Sequence, residues 1–134
     1  MLIIKTRVAP SEIHGLGLFT EEDLVKDQVV WEVNPLIDKA IEKQWLETLP
    51  LVAQEFVHHY AWLEGNHYYV SLDNDRFMNH SDDPNIENDH EKFCFALCDI
   101  KAGEELTCDY MQFGTGYQKI WIQRGDHGEG GEKD

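Results

Sequence analysis

Apolar and polar residues alternate in several short stretches of this chain and shift to a helical period in one longer stretch. Leu2-Ile3-Ile4-Lys5-Thr6-Arg7-Val8 is β-branched and partly alternating, which predicts a first strand ended by Ala9-Pro10-Ser11. His14-Gly15-Leu16-Gly17-Leu18-Phe19 predicts a turn running into a second strand, and Gln28–Val33 a third, broken by Pro35. Ile41, Trp45, Leu46 and Leu49 then recur at three- and four-residue steps, as do Val52, Phe56, Val57, Tyr60 and Leu63 after Pro50. This spacing predicts two short helices between about residues 37 and 63, broken near Pro50. His58 and His59 would project about 100° apart on such a helix, so they read as surface or half-buried histidines, not joint metal ligands. His67–Leu72 predicts a strand and Asp73-Asn74-Asp75 a turn. Lys92–Ile100 is apolar on both faces and predicts an interior strand, with Cys94 and Cys98 on one face as small buried hydrophobes. From Gly125 onward, glycine and charge predict disorder.

Composition narrows the functional classes. The 134 residues suit one domain, and 42% hydrophobic residues suffice for one core. The formal net charge of −15 argues against direct nucleic-acid binding and favours a basic partner. No apolar run is long enough to span a bilayer. Cys94, Cys98 and Cys108 show no framework spacing and read as reduced thiols, so a cytoplasmic location is expected, or a nuclear one if the source is viral or eukaryotic.

The chemistry gathers in three segments. Arg76-Phe77-Met78-Asn79-His80-Ser81-Asp82-Asp83-Pro84-Asn85 sets two apolar anchors before a polar turn stiffened by proline. Such a loop is either a well-bonded turn or a ligand site. Upstream lies the Gly15-Leu16-Gly17 turn, whose glycines let backbone approach a ligand closely. Downstream lies Gly103-Glu104-Glu105-Leu106-Thr107-Cys108-Asp109-Tyr110.

In this order the three segments resemble the SET-domain family of protein lysine methyltransferases, over about residues 3–121. The resemblance implies a mainly β SET (β-clip) fold of several small sheets, with a short helical insert and a C-terminal pseudoknot. The domain would occupy residues 1–121 and an acidic, disordered tail residues 122–134. It implies methyl transfer from S-adenosylmethionine to lysine side chains of a basic protein, histone-like, ribosomal or other, with no direct nucleic-acid or membrane contact and with a second copy of the chain as a candidate partner. Tyr110 matches the catalytic tyrosine. Gly15, Leu16, Gly17, Arg76, Phe77, Asn79, His80 and Trp121 fall at or beside the cofactor, and Tyr68, Cys108, Phe113 and Tyr117 along the lysine channel. Asp82 stands where many relatives carry a zinc-module cysteine, so no metal site is expected. Two other readings compete: an inactive SET-fold module that binds a basic peptide, and a metal-dependent hydrolase built on His80, Asp82, Asp83, Asp89 and His90. Asn79 and Tyr110 are far apart in sequence, and the pseudoknot crossing would bring them into one site.

Overall fold

The computed structural model describes residues 1–88 and 93–110. The described chain is mostly strand. β1 (Thr6–Pro10), β2 (Leu16–Thr20), β10 (Glu105–Cys108) and β7 (Asn79–His80) form one sheet in the order β1-β2-β10-β7. A second sheet has the order β3-β9-β8, from Val29–Glu32, Phe93–Ala96 and Ile86–Asn88. A third has the order β4-β6-β5, from Asp38–Glu42, His67–Ser71 and Trp62–Glu64. Small separate sheets are what the resemblance implied.

The first strand begins later than its sequence predicts. Leu2 makes an isolated bridge to Trp31, and β1 runs through Ala9 and Pro10. Proline is tolerated there because β1 is an edge strand. The helical insert is shorter than predicted: α1 spans Lys43–Leu46 and α2 Leu51–Tyr60. The flanks read as helix, residues 38–42 and 62–63, fall instead in β4 and β5, captured by pairing with β6. Pro50 separates the helices, and its carbonyl accepts the first amides of α2, from Ala53 and Gln54. Cys98 lies beyond the end of β9 and is exposed, so it is neither on the strand nor buried; Cys94 is half-buried and Cys108 buried.

Two cores fill the fold. Leu18, Leu24, Val30, Ile86, Ile100 and Leu106, all nearly inaccessible to water, centre the first. Leu46, Val57, Ala61, Leu63, Tyr68 and Val70 form the second, which docks the insert onto β6. Among the described residues no helix is long and apolar enough to cross a membrane.

β10 places the candidate chemistry. Its first half pairs antiparallel with β2 (Glu105 opposite Phe19, Leu106 opposite Leu18). Its second half pairs parallel with β7 (Thr107 opposite Asn79, Cys108 opposite His80). Asn85 extends this pairing, its side-chain carbonyl accepting from the Thr107 amide at 2.8 Å while its Nδ2 donates to the Glu105 carbonyl at 2.9 Å. All three sequence segments therefore meet on one strand.

Candidate active site

Ser11, Asn79 and Glu105 build the framework. Ser11 Oγ accepts the Ile13 and His14 amides, shaping the turn before Gly15, and donates to the Glu105 carboxylate at 2.9 Å. Asn79 Nδ2 reaches the His14 carbonyl at 3.0 Å, the Leu16 carbonyl at 3.2 Å and Glu105 Oε2 at 3.0 Å. Its two N–H groups are shared among three acceptors, so the side chain is a clamp between the glycine turn and β10. Gly17 serves the same clamp. A Cβ there would clash with the Glu105 carboxylate, so the missing side chain makes room for it. Glu105 was present in the motif but had no role from sequence.

His80 ties down the other end. Its Nδ1 accepts the Tyr110 amide at 3.1 Å, which leaves the ring proton on Nε2 to be donated to Asp82 Oδ1 at 2.9 Å. Tyr110 donates its hydroxyl hydrogen to the Met78 carbonyl at 2.7 Å. The backbone amide and the hydroxyl of Tyr110 are thus both fixed on the β7 segment.

Two cavities meet at this tyrosine. One, of about 230 Å³, is lined by His14, Gly15, Leu16, Phe77 and Asn79. The other, of about 220 Å³, is walled by Trp31, Trp62, Tyr69, Met78, Asp75 and Cys108, among others. His59, Tyr60, Arg76 and Tyr110 line both. The second cavity has an aromatic wall, with Trp62 stacked on Tyr69 (5.7 Å between centroids) and edge-on to Trp31 (6.3 Å). The Arg76 guanidinium lies over the rings of Phe56, Tyr60 and Phe77 at 5.4–5.6 Å, locking α2 to the site. Trp31 Nε1 and Arg76 Nε are buried donors with no hydrogen-bond partner among the described residues; Trp31 lines the aromatic cavity and Arg76 lines both.

Not every expected residue lines these two cavities. Gly15, Leu16, Arg76, Phe77, Asn79, Cys108 and Tyr110 do; Gly17 and His80 are not among their described linings. Tyr68 faces the second core and its place is taken by Tyr69, because neighbouring residues of β6 point to opposite faces. Burial, aided by Glu47, raises the Tyr68 hydroxyl above its usual pKa, as suits a core residue. Phe113, Tyr117 and Trp121 lie outside the described residues. Burial first, then Asp75, pushes the Cys108 thiol well above its usual range, so it stays a neutral wall. Among the described residues no group of His, Cys, Asp or Glu is arranged to hold a metal ion.

The model of the SET domain matches residues 15–111. The chain belongs to the SET-domain family. Sequence relatives of this SET chain include a Candida albicans histone-lysine N-methyltransferase, H3 lysine-36 specific, 29% identical over 79% of the chain. A mouse protein of the same description is 34% identical over 72% of the chain. The chain spans 14% of the first relative and 4% of the second. A solved Chaetomium thermophilum Polycomb Repressive Complex 2, autoinhibited and bound to S-adenosylmethionine, matches 92% of the chain with a TM-score of 0.62 and 25% identity, the SET chain covering 17% of it.

Proposed function

We propose that this SET protein transfers methyl groups from S-adenosylmethionine to lysine side chains of a basic protein. The observation that carries the reading is that Tyr110 lines two cavities at once, one walled by the glycine turn and one by aromatic rings. The glycine-turn cavity fits the cofactor. Its orphan Arg76 Nε–H suits an anionic or carbonyl acceptor, while Leu16 and Phe77 offer apolar surface. The bound cofactor would supply an activated methyl on a sulfonium.

The residues of the chain do the rest. A free lysine has a pKa of ~10.4 and is almost entirely charged at neutral pH. The aromatic cavity strips water from the ammonium, which favours the neutral amine. Because the Tyr110 hydroxyl gives its hydrogen to Met78, its oxygen is an acceptor that can orient an amine N–H. Holding amine and methyl in line can supply roughly 7–11 kcal/mol of the barrier. The −15 charge supports a basic substrate, and histone H3, the target in the relatives' names, has that chemistry.

The direct test is incubation with methyl-tritiated cofactor and recombinant histone H3, then with whole-cell lysate. The expected result is label on lysine; cofactor binding without any transfer would favour the peptide-binding module instead. If surface acid steers the substrate, raising salt from about 0.05 to 0.5 M will raise KM several-fold and change kcat much less, because screening acts on encounter.

Product number should follow Cys108. The family often carries Phe or Tyr here; the thiol is smaller, is buried at 6% exposure, and lines the aromatic cavity. A methylated amine has room to turn and react again, so dimethyl- or trimethyllysine is the expected end product. Cys108→Tyr should shift exhaustive reactions toward monomethyllysine by mass spectrometry, with a packing cost of roughly 1–3 kcal/mol.

A further inference from the structure

We propose that Asp75 takes the charge of the substrate lysine: its carboxylate receives the ammonium in the aromatic cavity and accepts the proton that must leave before methylation. This assignment rests on the methyltransferase reading above.

The geometry singles out this acid among its neighbours. Asp75 sits on a 3₁₀ turn, Asn74–Phe77, held at both sides by backbone bonds: its amide donates to Asp73 Oδ1 at 3.0 Å, and its carbonyl accepts from the Met78 amide at 3.0 Å. Its carboxylate makes no hydrogen bond or ion pair with any described residue, and Asp75 lines the cavity together with Tyr110 and Cys108. The acids behind it are committed to the fold. Asp73 accepts from the Leu2 amide and Ser71 Oγ; Asp38 accepts from the Met1 amine, the Asn34 amide and Ser71 Oγ. Arg76, the adjacent cation, spends its guanidinium on three aromatic faces. The other groups facing the cavity are the exposed Glu64 from β5, His59 from α2, Tyr69 from β6, Cys94 from β9, and Cys108 and Tyr110 from the β10 segment.

The electrostatics agree with this use. Burial first, then the Asp73 carboxylate, holds the Asp75 carboxyl up at about 7; Asp38 adds to the rise and the Met1 amine opposes it. A carboxyl poised there can carry a proton at neutral pH as an ordinary one cannot. In the assigned step an N–H bond of the ammonium breaks, its electron pair stays on nitrogen as the nucleophilic lone pair, and an O–H bond forms on Asp75. The proton later leaves to solvent through the cavity mouth, restoring the carboxylate.

Stability should move opposite to activity. Because the folded state raises the Asp75 pKa from the usual carboxylate value to about 7, the wild type loses stability as pH rises through the window between them. Asp75→Asn removes that loss, so its Tm on the alkaline side should equal or exceed the wild type's. Activity should fall roughly a hundredfold in kcat/KM. The test measures transfer from methyl-tritiated S-adenosylmethionine to recombinant histone H3 across pH, with Tm in parallel, for wild type, Asp75→Asn and Asp75→Glu. Expected are an acid limb in the wild-type kcat/KM profile with its midpoint near neutrality, its absence in Asp75→Asn, and partial recovery with Asp75→Glu. If Asp75→Asn keeps wild-type kcat/KM, or loses activity and Tm together, the assignment is overturned and the methyltransferase reading stands. A wild type that labels no lysine overturns that reading, and the assignment with it.

Discussion

Tyr110→Phe is expected to lower methyl-transfer turnover at least ~100-fold, the scale of losing one positioned polar group at a reacting centre. Tyr110 lines both cavities, and its hydroxyl hydrogen is already given to the Met78 carbonyl at 2.7 Å. Phenylalanine keeps the ring, and the His80 bond reaches the backbone amide, so the segment stays in place. What is lost is the acceptor facing the amine and one hydrogen bond to Met78, which costs about 1 kcal/mol of stability. Cofactor affinity should change little, because the glycine turn, Phe77 and Asn79 are untouched and the aromatic ring of residue 110 is kept. Single-turnover kinetics with saturating cofactor would show it; near-normal turnover would remove Tyr110 from the mechanism.

Asn79→Ala should damage stability and cofactor binding together. The amide is 8% exposed and bridges the His14 and Leu16 carbonyls to Glu105. Without it Glu105 retains Ser11 among the described side chains, and two carbonyls of the glycine turn lose a donor. Loss of a hydrogen bond to a charged group, with acceptors left unpaired, predicts about 2–4 kcal/mol and a Tm lower by roughly 10 °C. Cofactor affinity should weaken roughly tenfold or more as the turn loosens, since 1.4 kcal/mol suffices for that. In a double-mutant cycle with Glu105→Gln, the effects of the two substitutions should fall short of their sum by at least 0.5 kcal/mol. Strict additivity would mean that the two side chains do not act as a clamp.

Motif residues were legible because turns and caps are local: Gly15, with φ of +49°, and the Asn79-His80-Ser81 run declare their chemistry within a few positions. The family resemblance carried Tyr110 and Cys108 onto the cavity walls in the same way. The misreadings are non-local. Ile41 and Trp45 keep helical spacing, yet residues 38–42 pair with β6 as strand, a choice made by a partner some thirty residues away. Tyr68 and Tyr69 are chemically almost alike, so the strand could be seen but not which ring faced the cavity. A glycine at 17 says only that something comes close; that Glu105 is such a neighbour emerges from the fold. Asp75 sat unremarked in a turn of Asp-Asn-Asp, because sequence does not reveal which of several acids is left without a bond.

β10 lies inside its sheet, between β2 and β7, although it is the last described strand to leave the ribosome. Until it arrives, β2 has an open edge and β7 has nothing to pair with in this sheet, so both wait with backbone hydrogen-bonding groups unpaired. Joining residues 18 and 106 closes a long loop in one step, which makes folding slow relative to domains of the same size built from hairpins. The nascent chain is therefore open to misassociation until β10 emerges, and cofactor cannot be gripped by the finished clamp before that strand is in place. Truncations ending before Glu105 should accumulate as aggregates and not as partly active domains.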